Sequence, residues 1–276
     1  MAGTLYVVAT PLGNLEDISA RAIRILGEVQ LIAAEDTRHS RKLLAHFDIH
    51  TPMISYYDQI ERDRAPELVE RLTTGTSIAL ISDAGTPGIA DPGYRLVRAA
   101  AEAGIPVVPI PGPSAVAAVL SVCGLPTDRF AFEGFVPART SARQRFFASL
   151  VNEERTIVVY EAARRLPACL QDLIGSLGPE REIVVARELT KVFEDVLRGR
   201  AGDVLVRVPA NVKGEVTLVV AGTKRPVPSA PPEDLDAAIA RLLAEGLHTR
   251  DIADRLAAEY DLHRREVYER VVKRSS

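Results

Sequence analysis

Along the first 115 residues, apolar side chains gather in blocks of four or five, each followed by a polar corner and then by an amphipathic stretch. Blocks of that length, rich in Val, Ile, Leu and Tyr, predict buried strands over residues 5–9, 31–34, 53–56, 77–81 and 107–110. Helical spacing predicts helices over 20–26, 40–47, 64–73, 94–103 and 115–123, with Asp17 or Ser19 available to cap the first. Strands alternating with helices predict a mostly parallel sheet.

After residue 123 the texture changes. Strands are expected at 130–135, 156–160, 182–186, 192–198 and 216–221, and helices at 143–150 and 166–177; residues 202–208 read as a strand or a short helix. This is a smaller α/β unit, expected to include antiparallel members. Residues 223–232 hold four prolines in ten and read as a linker. Three short amphipathic helices follow at 234–245, 249–260 and 264–273, with Ile252, Leu256 and Tyr260 on one face. A basic last helix makes this tail similar to a helix-turn-helix module: the final 14 residues carry five Lys/Arg against two Glu. The expected organisation is α/β throughout: an N-terminal α/β domain over 1–115, a second over 116–222, a linker over 223–232 and a helical extension over 233–276.

One corner differs from an ordinary turn. Ser82-Asp83-Ala84-Gly85-Thr86-Pro87-Gly88-Ile89-Ala90-Asp91-Pro92-Gly93 holds three glycines, two prolines and two aspartates at the carboxyl end of a predicted strand. Open α/β sheets place their ligands there, and loops of this length are usually functional. Thr10-Pro11-Leu12-Gly13-Asn14 and Pro111-Gly112-Pro113-Ser114 occupy equivalent positions. Together they predict a crevice lined by main-chain groups, suited to an adenosine moiety held by shape and backbone contacts. Charged side chains at other strand ends supply reactive candidates: Glu35, Asp36 and Arg38; Glu161, Arg164 and Arg165; Arg187, Glu188 and Lys191; Lys213 and Glu215.

Composition narrows the classes. A net charge of -3 gives no global basic signature, so any nucleic-acid surface must be local, and Arg139, Arg143 and Arg145 with the basic terminus could provide it. Two cysteines, Cys123 and Cys169, suit buried free thiols in a reducing compartment. The amino terminus has no signal-peptide pattern and no apolar run reaches membrane-spanning length, so a cytoplasmic protein is expected. There is no P-loop, no dinucleotide fingerprint after the first strand and no nucleophile elbow. His46 and His50 sit four apart but straddle a helix end, so no metal is expected.

In order, Thr10-Pro11-Leu12-Gly13-Asn14-Leu15, Ala34-Glu35-Asp36-Thr37-Arg38, Ser82-Asp83-Ala84-Gly85-Thr86-Pro87, Asp91-Pro92-Gly93, Pro111-Gly112-Pro113-Ser114, Glu133-Gly134-Phe135, Tyr160-Glu161, Ala186-Arg187-Glu188-Leu189-Thr190-Lys191 and Lys213-Gly214-Glu215 form a specific series. Over residues 4–222 it resembles the bacterial ribosomal RNA small-subunit methyltransferase I family, of the tetrapyrrole-methylase fold; the tail resembles that family's helical extension more weakly. The resemblance implies S-adenosylmethionine as cofactor and a cytidine ribose 2′-hydroxyl in the decoding region of small-subunit ribosomal RNA as acceptor. It also implies a homodimer with the cofactor in an interdomain cleft.

By matching motifs, Pro11, Asp83, Ala84, Gly85, Thr86, Ile89, Ser114, Ala115, Tyr160, Glu161, Gly214 and Glu215 surround the cofactor. Glu35, Asp36, Glu161, Lys191 and Lys213 are the candidate proton acceptors, and Arg38, Arg139, Arg143, Arg145, Arg164, Arg165, Arg264 and Arg265 are expected at RNA. The chain departs from the family pattern at Ala162 and Arg164, where Ser and His are usual, which puts a histidine base at that position in doubt. A tetrapyrrole methyltransferase and a non-catalytic RNA-binding protein are the competing readings; Glu35-Asp36-Thr37-Arg38 and the basic tail weigh against the first, and cofactor binding separates the second.

Overall fold

A computed structural model describes residues 2–209, 211–223, 235–260 and 262–275. Two compact units make up the chain, Met1–Gly222 and Thr223–Ser276.

The first unit holds two five-stranded sheets. Its leading sheet is entirely parallel, ordered β3-β2-β4-β1-β5, from β1 (Leu5–Val8), β2 (Leu31–Ala34), β3 (Met53–Ser55), β4 (Ile78–Ile81) and β5 (Val107–Ile110). Between these strands run α1 (Ala20–Glu28), α2 (Thr37–His46), α3 (Asp58–Thr73) and α4 (Tyr94–Glu102). Both faces of the sheet are covered. Leu5, Ala33, Ile78 and Leu80 pack with Leu68, Leu72 and Leu96, whereas Val8, Ile32, Ala79 and Ile81 pack with Ile25, Leu26 and Leu44. Double burial explains why these strands are continuous apolar runs without polar alternation.

The second sheet is mixed, ordered β6-β7-β10-β8-β9, from β6 (Phe130–Phe135), β7 (Thr156–Ala162), β8 (Glu182–Arg187), β9 (Asp195–Arg200) and β10 (Glu215–Val220). β6 and β7 pair in parallel; β10 is antiparallel to both β7 and β8, and β9 to β8. One face packs against α6 (Thr140–Ser149), α7 (Leu166–Leu177) and α8 (Ala201–Arg207). The other receives α5 (Ala115–Cys123), whose Val116, Val119 and Cys123 sit against Val158, Val184 and Val219. Thus α5 starts at the carboxyl end of the first sheet and packs on the second.

Four sequence expectations are resolved or shifted. Residues 202–208, open between strand and helix, are helical up to Arg207 in α8 (Ala201–Arg207). α3 begins at Asp58, six residues before the expected start, because its polar first turn gives no apolar period. The strand expected at 192–198 is β9 at Asp195–Arg200: Glu188 and Thr190 take left-handed φ of 53° and 66°, and Lys191 and Glu194 amides close turns, leaving Val192 and Phe193 exposed. Ser19, not Asp17, caps α1, accepting from the Ala22 amide at 3.0 Å.

In the second unit, α9 (Leu235–Ala244), α10 (Thr249–Tyr260) and α11 (Arg264–Ser275) pack around Ile239, Leu242, Ile252, Leu256, Val267 and Val271. Of the residues expected to form the linker, all but Thr223 lie outside the described residues. Among the described residues no helix is long and apolar enough to cross a membrane.

Arg143, expected at RNA, is a correction. Its side chain is 5% exposed and pairs with Asp172, Nη2 to Oδ2 at 2.6 Å, bracing α6 against α7. Removing Arg143 leaves Asp172 partly exposed and still held by Gln144 Nε2 at 2.8 Å, so the loss is about 1–3 kcal/mol. Arg143→Ala is therefore expected to lower thermal stability by that order without changing the salt dependence of RNA binding; unfolding and binding-versus-salt curves check both.

Candidate functional site: a cleft at the strand ends

Parallel pairing sends the carboxyl ends of β1, β2 and β4 to the same edge, where backbone groups run out of strand partners. The corners supply them. Thr10 and Gly85 form an isolated antiparallel bridge, with N···O distances of 2.8 and 2.9 Å, and the buried Thr10 hydroxyl donates to Ser82 O at 3.1 Å. Gly85 has φ 85°, and a Cβ there comes 3.3 Å from Leu12, so this corner requires glycine. A crossed pair of bonds joins β2 to β4: the Asp83 amide donates to Glu35 Oε2 at 3.2 Å, and the Asp36 amide donates to Asp83 Oδ1 at 3.0 Å.

The remainder of the long loop is anchored by Glu61 of α3, which is nearly buried. Its Oε1 accepts from Tyr56 Oη (3.1 Å), Gly93 N (3.0 Å) and Arg95 N (3.1 Å). Burial, followed by the charge of Glu61, drives the Tyr56 hydroxyl well above its ordinary pKa. Ala90 is held at a left-handed φ of 67°, a conformation that costs a non-glycine residue energy and marks a tightly determined loop.

These corners form one wall of a cavity of about 400 Å³. Leu12, Glu35, Asp83 to Thr86, Ile89, Asp91, Ser114 and Ala115 line one side; Phe135, Tyr160 to Ala162 and Gly214 to Thr217 line the other. Phe132 and Phe135 meet the Tyr160 ring edge-on, with centroids 4.9 and 5.3 Å away. The volume lies in the range of small-molecule sites. At one rim, Lys191 Nζ bridges Glu188 Oε1 and Glu215 Oε2, both at 3.1 Å, while its stem lies so close over Gly13 that a Cβ there overlaps it.

Of the residues expected around a cofactor, eleven meet at this cavity, and Pro11 does not: it is buried, and its neighbour Leu12 lines the wall. The acid-base candidates separate. Glu161 is on the wall through its backbone only. Ile157 and Val159 enter the core under α7, and Val158 and Tyr160 the core under α5, so strand alternation sends Glu161 to the α7 side. There its fully buried carboxylate takes Ala162 N at 2.6 Å and Arg165 Nε at 2.8 Å. This corrects Glu161 as proton acceptor, and Arg165 as a phosphate ligand, since each holds the other.

Asp36 is likewise corrected. It caps α2 through Arg38 N at 2.8 Å, and the hydrogen bond from Arg38 keeps its carboxyl below the usual range. Lys191 is corrected too: burial opposes its charge, but Glu188 and Glu215 hold the ammonium above its ordinary value, leaving it protonated with no site for a proton. Lys213 is exposed and does not line the cavity. Glu35 does, and burial raises its carboxyl above the usual range, with Asp83 and Asp58 adding to the rise. Arg38, Arg139, Arg145 and Arg164 are exposed, as are Arg264, paired with Asp254, and Arg265, paired with Glu269.

Reasoning from the sequence missed Asp91, Phe135, Leu12 and Thr217 as wall residues. Asp91, Leu12 and Phe135 lie inside quoted motifs; Thr217 reaches the cavity through β-strand register, which no local pattern announces. His50 pairs with Asp48, and among the described residues no cluster suits a metal ion.

The sequence pattern of the tetrapyrrole (corrin/porphyrin) methylases matches residues 4–205, so fold and cleft are those of a methyltransferase class. A protein from Synechocystis sp. named ribosomal RNA small subunit methyltransferase I is 50% identical over 269 residues, covering 97% of this chain and 96% of that one. One of the same name from Xylella fastidiosa is 52% identical over 223 residues, covering 80% and 82%. A uroporphyrin-III C-methyltransferase from Thermus thermophilus, solved with S-adenosyl homocysteine, superposes with a TM-score of 0.54 at 20% identity over 79% of this chain and 97% of that one. The chain belongs to the ribosomal RNA small subunit methyltransferase I family, within the tetrapyrrole methylases.

Glu61→Ala frees the Gly93 and Arg95 amides and the Tyr56 hydroxyl. Unpaired buried groups cost about 1–3 kcal/mol each. The variant is expected to melt several degrees lower and to expose the 82–93 amides to hydrogen exchange, measurable by mass spectrometry.

Proposed function

We propose that the cavity holds S-adenosylmethionine and that the chain methylates the ribose 2′-hydroxyl of a cytidine in the decoding region of small-subunit ribosomal RNA. The observation that carries this is the convergence of Asp83–Thr86, Ser114, Tyr160 and Gly214 on one cavity in a member of that family. The residues fit the group. Main-chain edges at Ala84, Gly85 and Gly214 suit a nucleoside held by shape, and carboxylates at Glu35, Asp83 and Asp91 suit a ligand bearing positive charge. When bound, the cofactor supplies a methyl carbon on a good leaving group.

The protein's share is alignment and proton removal. The crossed bonds at Asp83 and the bridge at Gly85 fix one wall, and Tyr160 with its two phenylalanine neighbours fixes the other, so the reacting atoms need not be ordered during the reaction. A ribose hydroxyl is a weak nucleophile until its proton leaves, so a carboxylate at the cavity is needed. Glu35 and Asp91 are the cavity carboxylates that burial raises above the usual range.

Phosphates would meet the exposed cations Arg38, Arg139, Arg145 and Arg164, together with the helical unit, whose α10 and α11 are separated by only residues 261–263, as in a helix-turn-helix. Ribosomal RNA as partner, assembly as a homodimer and a cytoplasmic location complete the proposal.

Gly85→Val places a β-branched residue at positive φ beside Leu12. It is expected to abolish S-adenosylhomocysteine binding in calorimetry, and labelled-methyl transfer to small subunits with it, while the circular dichroism spectrum is retained; normal binding would remove the loop from the cofactor site. Truncation after Gly222 is expected to weaken subunit binding at least tenfold and leave cofactor affinity unchanged. Equal subunit affinity of both forms would contradict the role given to the tail.

A further inference from the structure

We propose that Asp91 is the proton acceptor for the RNA hydroxyl, an assignment that rests on reading the cavity as the methyl-transfer site. Five acidic residues contribute to the cavity wall: Glu35, Asp83, Asp91, Glu161 and Glu215. Four are committed elsewhere. Glu161 faces the α7 core with Arg165, Glu215 is held by Lys191, Asp83 accepts from Asp36 N, and Glu35 accepts from Asp83 N. Among the described residues no backbone amide or cation pairs with Asp91; its hydrogen-bonding neighbour is the Ser82 hydroxyl.

Its position is nevertheless fixed. On one side is Ala90 at φ 67°; on the other are the buried Pro92 and Gly93, with the Gly93 amide tied to Glu61. A carboxylate whose backbone is fixed, and whose oxygens meet a rotatable hydroxyl but no backbone amide or cation, is suited to accept a proton. The groups facing it are Glu35 from the end of β2, Asp83 from the end of β4, Asp58 from the start of α3 and Tyr160 from β7. Burial, then the charges of Glu35, Asp83 and Asp58, push its carboxyl up to about 7. Burial and the charge of Asp91 push the Tyr160 hydroxyl up to about 12, so Tyr160 keeps its proton and does not compete as a base.

The balance is simple. As the hydroxyl oxygen bonds to the methyl carbon, its O–H bond breaks and the proton passes to an Asp91 oxygen. The electron pair of the broken carbon–sulfur bond stays on sulfur, which loses its positive charge as Asp91 loses its negative one. Asp91 then releases the proton to water.

The pH dependence has a definite sign. The ionised form is active, so kcat/KM on small subunits should fall about tenfold per pH unit below an apparent pKa at or under about 7. Because the folded-state value is raised above that of a free carboxyl, ionising Asp91 destabilises the folded protein, and the cost is fully present above about pH 7. Asp91→Asn should therefore melt higher than the natural protein at pH 8, with the gap closing towards pH 4. It should also bind S-adenosylhomocysteine within about threefold of normal, lose about 100-fold or more in kcat and lose the acid limb, while Asp91→Glu restores part of both.

An Asp91→Asn variant that keeps the acid limb, or that turns over within about threefold of the natural protein, would overturn the assignment. If the natural protein neither binds S-adenosylhomocysteine nor transfers a methyl group, the reading of the cavity falls first and Asp91 with it.

Discussion

The structure depends on how three parallel strand ends are tied together. A parallel sheet leaves β1, β2 and β4 finishing at one edge with main-chain groups that lack partners, and burying such groups unpaired is costly. The Thr10–Gly85 bridge and the crossed Glu35–Asp83 and Asp83–Asp36 bonds meet that need with few atoms. The same bonds shape a cavity wall. Stability and the shape of the cavity thus share residues here, and Asp83 ties β2 to β4 while lining the wall.

The second sheet closes the cavity by different means. Its antiparallel members allow β10 to run between β7 and β8, bringing Glu215 opposite Ala162 and Thr217 opposite Tyr160 at the cavity wall. Strand alternation then decides which side chains enter. Tyr160 and Ala162 fall on the cavity side, whereas Glu161 is spent on Arg165. The Ala162 and Arg164 departures from the family pattern are reasonable in this setting: Ala162 remains at the wall, while Arg164 is exposed. The proton acceptor proposed above, Asp91, lies instead on the loop after β4 of the first sheet, where burial lifts its carboxyl towards the range in which a base works near neutral pH.

Much of this was legible in the sequence. Apolar blocks gave all five strands of the parallel sheet because double burial writes itself as unbroken hydrophobic runs. The Gly/Pro corners announced the crevice because their backbone shapes demand those residues. Side-chain direction was less legible. Glu161 and Lys191 sit in charged motifs at strand ends, where reactive groups are expected, yet strand parity and the two-carboxylate grip on Lys191 remove both from proton transfer. Arg143 read as a surface cation because three arginines occurred without a nearby acid; its partner, Asp172, lies 29 residues away on α7. Asp91 sits in the Asp91-Pro92-Gly93 motif, which in sequence reads as a corner; its place in the cavity wall, among Glu35, Asp83 and Asp58, is set by the fold.

The central claim is that this cleft transfers a methyl group to a ribose oxygen of small-subunit RNA. It is tested most directly by incubating under-methylated small subunits with the protein and methyl-labelled S-adenosylmethionine, then mapping the label by nuclease digestion and mass spectrometry. The account predicts label on the 2′-oxygen of one cytidine in the decoding region. Label on a base, or none on the RNA, would contradict it.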